Sequence, residues 1–150
     1  MNMKHILATA TVAAALGAPL SNAFADDAMG MSATDMAEAH FQAIAAGDIA
    51  ALKSHYAKDA LFQWVGGPLD GAYTGADSIA QVWTKFTKGQ GKMHAEVIDI
   101  SQGANAQGAT VVARVKFAGN KTIPVRYVLV YRGERLVDEI WQIDPKLTAY

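Results

Sequence analysis

The stretch Met36–Asp48, MAEAHFQAIAAGD, sets an imidazole, His40, among apolar residues that recur every three or four positions. Imidazole accepts or donates a proton near neutral pH, so a histidine on a face bound for the interior is a candidate for acid–base chemistry or ligand contact. Two further side chains have matching chemistry. Tyr127 is a neutral hydrogen-bond donor. Glu139 is a carboxylate in the apolar run LVDEIWQI, Leu136–Ile143. In an apolar cavity, desolvation would make it a stronger base, unless His40 pairs with it.

Other chemistries find no support. None of the 150 residues is cysteine, which removes thiol nucleophiles, zinc–thiolate sites and disulfides. No Walker motif, Rossmann glycine set, serine nucleophile elbow or HExxH occurs. His55 and His94 have no acidic or histidine companion at metal-ligand spacing. No metal and no cofactor is therefore expected. Thirteen Lys+Arg against 14 Asp+Glu give a net charge of −1. Without a long basic run, neither nucleic acid nor a membrane surface is expected as a partner.

The ends bound the domain. Lys4 and His5 precede an uncharged apolar run, Ile6 to Leu16; Pro19 follows, and Ala23-Phe24-Ala25 fits a cleavage site. This is the layout of a secretory signal peptide at 1–25, cleaved after Ala25, and it implies a periplasmic or secreted protein. Residues 26–31 read as a flexible N-terminus and 32–150 as one domain, long enough to bury its own core.

Within that domain helical spacing comes first. Ser32 or Thr34 is placed to cap a helix carrying Met36, Ala37, His40, Phe41 and Ile44 on one face. Gly47 ends it, and Asp48 caps a second helix, Ile49 to Tyr56. Leu61 to Val65 is a short strand, GGPLDGAYTG a loop, and Thr74 or Asp77 precedes a third helix with Ile79, Val82, Trp83 and Phe86. Four strands follow: His94 to Ser101, Thr110 to Phe117, Thr122 to Arg132 and Leu136 to Ile143. Helices followed by an antiparallel meander form an α+β pattern, with the helices on one sheet face.

Register decides which side chains share that face. A three-residue loop, Gly119-Asn120-Lys121, sets Val111, Ala113, Val115 and Phe117 beside Ile123, Val125, Tyr127 and Leu129, and puts Arg114, Lys116 and Arg126 outside. At YRGERLV a three-residue loop turns Val137, Glu139, Trp141 and Ile143 inward. A two-residue loop would turn Leu136, Asp138, Ile140 and Gln142 inward instead, so either Glu139 or Asp138 faces the interior.

The segments AIAAGDIAALKSHYAKDALFQWVGG, YTGADSIAQVW and VLVYRGERLVDEIWQID resemble the SnoaL-like, ketosteroid-isomerase-like branch of the nuclear-transport-factor-2-like superfamily. The resemblance spans about Met36 to Asp144. It implies a cone-shaped fold in which a curved antiparallel sheet wraps three N-terminal helices around an apolar pocket. It also implies a homodimer through the outer sheet face. Ketosteroid isomerase works with a carboxylate base, a tyrosine and a protonated aspartate. Counting from Gly47-Asp48, its helix-one tyrosine falls on His40. From Asp59-Ala60 its base falls on Trp64, and from Arg132-Gly133 its oxyanion aspartate falls on Tyr127. The acid that follows the last-strand tryptophan in SnoaL-like cyclases is here Gln142.

Two functions are consistent with this pattern. In the first, the domain binds a small apolar molecule in a pocket walled by Phe62, Trp64, Trp83, Tyr127 and Trp141; the replacement of the family's acids by aromatics and an amide favours this one. In the second, it is a cofactor-independent isomerase, dehydratase or cyclase acting on an apolar carbonyl compound. His40 or Glu139 is then the base and Tyr127 the oxyanion donor.

Overall fold

The computed structural model describes residues 30–147. The expected signal peptide at 1–25 and residues 26–29 of the expected flexible segment lie outside the described residues. The elements are α1 (Ala33–Ala46), α2 (Ile49–His55), β1 (Tyr56–Val65), β2 (Gly71–Thr74), α3 (Ala76–Gln90), β3 (His94–Asn105), β4 (Gly108–Ala118), β5 (Thr122–Arg132) and β6 (Arg135–Ile143). Among the described residues no helix is long and apolar enough to cross a membrane.

Local chemistry sets the helix ends. The Ser32 side chain accepts from the Asp35 N–H while the Asp35 carboxylate accepts from the Ser32 N–H, a reciprocal capping box. Of the two expected caps, then, the chain uses Ser32. Gly47 closes α1 at φ 67°, a left-handed conformation that a residue without Cβ takes most easily. Asp48 accepts from the Ala51 N–H to start α2. At α3 the N-cap is Gly75, with no side-chain cap, in place of the expected Thr74 or Asp77; Asp77 lies in the first turn, where it complements the helix dipole.

The six strands form one curved sheet in the order β2-β1-β6-β5-β4-β3, with the helices packed on it. The expected meander is present as β3–β6, but β1 pairs with β6 in parallel, so the sheet is mixed rather than wholly antiparallel. β1 starts at Tyr56, well before the expected Leu61, because Ala60, Phe62 and Trp64 alternate inward and carry the strand pattern back toward α2. Part of the expected loop, Gly71–Thr74, pairs with β1 as β2.

The β4–β5 register is the expected one: Ala118 faces Thr122, Val115 faces Val125 and Ala113 faces Tyr127. The β5–β6 hairpin differs. Arg132 faces Arg135, so the turn is the two-residue Gly133-Glu134, with Gly133 at φ 58°. A uniform ladder from there would turn Asp138 inward. The register slips between Tyr131–Leu136 and Val130–Asp138, leaving Val137 as an extra residue, a β-bulge. Leu136 is consequently inside in place of the expected Val137, and beyond the bulge Glu139 and Trp141 both face the interior.

Candidate functional site

Four elements deliver one buried polar chain. His40 sits on the inner face of α1 between Ala37 and Ile44, and Glu139 lies just past the bulge in β6; both are wholly buried. The α2–β1 junction supplies two adjacent residues, His55 ending the helix and Tyr56 opening the strand. Trp83 comes from the inner face of α3. The Trp83 indole N–H donates to the Tyr56 hydroxyl at 2.7 Å, and Tyr56 donates to Glu139 Oε2. His40 Nε2 lies 3.1 Å from Glu139 Oε1, and His40 Nδ1 lies 3.0 Å from His55 Nδ1.

Donor and acceptor capacities order the protons along this chain. Indole only donates, so the Tyr56 oxygen accepts from Trp83 and its single hydrogen goes to Glu139. With Glu139 ionised, its second oxygen accepts from His40 Nε2–H. A neutral His40 then offers its Nδ1 lone pair to His55 Nδ1–H, which leaves the lone pair of His55 on Nε2. Nε2 has no partner among the described residues. In that protonation state the arrangement holds His55 in the tautomer that can act as a base, as the carboxylate of a hydrolase triad does for its histidine. A protonated His40 would instead donate from Nδ1 and hold the opposite tautomer.

Electrostatics act in the same direction. Burial, and next the proximity of His40, lower the pKa of His55 from its ordinary 6.5, with Glu139 and Asp48 pulling it up less strongly. His55 is therefore largely neutral, and basic, at neutral pH. Tyr56 is pushed well above the usual tyrosine value by burial and then by the Glu139 carboxylate. It remains a donor.

His55 is half-buried and lines a cavity of about 300 Å³. Met31, Met36 and Ala39 give the cavity apolar walls; Ser54, Tyr131, Glu134 and Arg135 complete it. Arg135 is tethered there by donating to the Ser54 carbonyl. This volume is at the small end of the range for ligand sites. Among the described residues no three His, Asp or Glu side chains are grouped to hold a metal ion.

The structure thus brings His40 and Glu139 together; Tyr127 lies near Glu139, where burial and then that carboxylate push its pKa well above the ordinary value, but it stands away from the cavity. Tyr127 is wholly buried, packs against the rings of Phe41, Phe117 and Trp141, and does not line the cavity. The expected aromatic pocket is also displaced. Phe62 stacks on Trp83 at 5.2 Å between centroids, Trp64 lies 4.7 Å from Trp141, and Phe117 stacks on Trp141 at 5.0 Å. Phe62, Trp64, Trp83 and Trp141 fill one another's contact surfaces, and none of them lines the cavity beside His55. Trp83 still meets the polar chain, through its indole N–H.

Three residues escape a reading by spacing: His55, Tyr56 and Tyr131. His55 does have a histidine companion, His40, 15 positions back in sequence and therefore not at metal-ligand spacing. The adjacent HY pair is the one signal available. Neighbours in a strand point to opposite faces and neighbours in a helix diverge, but at a helix-to-strand junction both can reach one site.

The fold and the chain have relatives. An NTF2-like protein of unknown function from Pseudomonas putida superposes with a TM-score of 0.61 at 20% identity, over 75% of this chain and 89% of that one. A protein of ketosteroid-isomerase-like fold from Catenulispora acidiphila, solved in complex with trimethylamine, gives 0.58 at 16% identity, over 77% and 89%. A candidate polyketide cyclase from Sinorhizobium meliloti gives 0.54 at 20% identity, over 72% and 94%. No curated protein matches the sequence. The SnoaL-like domain family matches residues 37–138. The chain belongs to the SnoaL-like domain family.

Proposed function

We propose that this protein is an exported acid–base catalyst, an isomerase, dehydratase or cyclase in reaction type, that acts on a small apolar carbonyl compound with its own side chains. The observation that carries the proposal is the continuous chain from buried Glu139 through His40 to His55 at the cavity wall. His55 is the base; His40 and Glu139 are positioning residues that fix its tautomer and stabilise the charge it acquires. The polyketide cyclase candidate among the fold's relatives is in keeping with this chemistry. Export rests on the signal-peptide layout of residues 1–25. A homodimer through the outer sheet face is supported by the partly exposed Val112 and Ile140, which flank Val128 in one cross-strand row.

The test is proton exchange. Cyclohexanone in D2O, followed by NMR, should lose its α-proton signal faster with the protein than with buffer, and His55→Gln should remove the acceleration, a factor of about 10²–10⁴ for one general base. Cyclohexanone that binds without accelerated exchange would reduce the site to a binding pocket for apolar molecules. Acceleration that survives His55→Gln would place the base elsewhere.

A further inference from the structure

The cavity beside His55 carries its charge at one end. His55 is largely neutral at neutral pH, so Arg135 supplies the positive charge of the lining and Glu134 the negative. Both side chains are exposed, and neither has an ion-pair partner among the described residues. Arg135 is nevertheless held in place. It opens β6 and donates through Nη1 to the carbonyl of Ser54, the residue before His55. That bond satisfies a carbonyl in the last turn of α2 and engages one of the five N–H donors of the guanidinium. The Ser54 hydroxyl already donates to the Ala51 carbonyl, so it has no hydrogen for a ligand. On its other side Arg135 borders a depression lined by Lys53, Lys58 and Asp77, where Lys53 and Asp77 pair at 2.5 Å. Positive charge therefore outweighs negative along that edge. Arg132, opposite Arg135 in the hairpin, is engaged elsewhere: it donates to the Gln107 carbonyl and does not line the cavity.

We propose that the substrate of this site carries a carboxylate, which Arg135 receives at the cavity rim while the apolar body lies on Met31, Met36 and Ala39 beside His55. The inference rests on the acid–base reading above and narrows its substrate to a small keto acid with an apolar body. A guanidinium fork matches the two oxygens of a carboxylate, and charge-assisted hydrogen bonds of this kind are stronger than neutral ones. Apolar walls alone give a ligand no fixed direction. A charge held at one end does, and it sets the rest of the molecule along the cavity toward His55. Glu134 stands at the same rim and repels a second acid group, which favours a monocarboxylate over a dicarboxylate. The volume of about 300 Å³ confines the body to a small molecule.

The test compares an acid with its neutral counterpart. Cyclohexanecarboxylate and cyclohexanecarboxamide share a ring and differ in charge, and calorimetric titration at neutral pH and low salt gives the affinity of each. The acid should bind about tenfold tighter, and its advantage should shrink in about 1 M NaCl because the guanidinium is exposed. Arg135→Gln should remove the advantage, whereas Arg132→Gln should keep it. Equal affinity for acid and amide in the wild type, or an advantage that survives Arg135→Gln, overturns the proposal. A second variant decides the point even where Arg135→Gln fails to fold. Glu134→Gln removes the carboxylate next to Arg135 in sequence and should widen the acid's advantage about twofold; an unchanged or narrowed ratio places the acid away from this rim and overturns the proposal. Exchange of α-protons from 4-oxocyclohexanecarboxylate then joins binding to reaction. Its KM should be about tenfold below that of cyclohexanone, and Arg135→Gln should raise that KM with little change in kcat. Exchange that treats the two ketones alike overturns the role of Arg135 and leaves the acid–base reading intact. An acid held through Arg135 with no exchange from either ketone keeps Arg135 as the anchor of a carboxylate ligand and removes the catalysis.

Discussion

Glu139 and Trp141 lie two residues apart on β6 and face the same interior, yet their surroundings are opposite. Around Trp141 the rings of Trp64, Trp83, Phe86, Phe117 and Tyr127 all lie with centroids between 4.7 and 5.3 Å away, in stacked, tilted and edge-on pairs. Glu139 has hydrogen-bond partners in His40 and Tyr56, with Tyr127 also close by, and the hydrogen-bond chain continues to a half-buried histidine beside a cavity. An inward position on the sheet therefore does not make a pocket residue. What decides is whether the facing side chains have enough volume to close the space, and at the Trp141 end they do.

The first way to break this comparison is to open the closed end. Trp141→Ala removes the ring at the centre of the aromatic cluster, and its indole N–H gives up no hydrogen bond. The loss is therefore one of packing, and should be about 3–5 kcal/mol in urea unfolding. At the polar end the single changes His40→Leu and Glu139→Leu should cost a comparable 3–5 kcal/mol each, because each strands the other partner in the interior. The double variant should cost less than the sum by about 0.5–3 kcal/mol. Strict additivity would mean that His40 and Glu139 do not act as a unit.

A subtler change sharpens the contrast. Glu139→Gln keeps the shape of the side chain but replaces one acceptor oxygen by a donor. If the new carbonyl takes the Tyr56 hydrogen, the amide N–H faces His40 Nε2, which then has to present a lone pair. The His40 proton moves to Nδ1 and donates to His55 Nδ1, so His55 carries its hydrogen on Nε2 and loses its basic lone pair. Stability should fall by about 1–3 kcal/mol, whereas the exchange assay should lose nearly all of the acceleration due to His55. Retained exchange would break the link between Glu139 and His55.

The sequence carries much of this, and where it stops is physically definite. The starts of α1 and α2, the β4–β5 register and the inward direction of His40 follow from side-chain types and periods of two and 3.6. Glu139 faces inward as read, but for another reason: the turn is one residue shorter and the bulge at Val137 restores the parity. Periodicity contains no signal for a bulge, since Leu136 and Val137 are both apolar. The cavity is displaced because spacing shows which residues point inward but not how much volume they fill; five aromatics on one face read equally as a wall or as a plug. His55 is missed because its partner arrives through tertiary packing of α1 against α2, not through any local pattern.

The smallest effect is the dependence of stability on pH at the polar end. His55 faces His40 from α1 and Glu139 from β6, has Asp48 at the start of its own helix, and shares the cavity with Tyr131, Glu134 and Arg135. Burial and then His40 outweigh the two carboxylates and hold its pKa below 6.5. Between the lowered folded value and 6.5 the unfolded chain binds more protons at this position, so stability rises with pH there. The contribution of His55 is thus complete above about pH 6.5 and is lost as the pH falls below it. In urea midpoints measured from pH 7.5 down to 5, His55→Gln should flatten this part of the profile, while Trp141→Ala should lower the whole curve without changing its slope. A His55→Gln profile parallel to that of the wild type would mean that His55 titrates as freely in the folded protein as in the unfolded chain. The polar end would then not hold His55 as a tuned base.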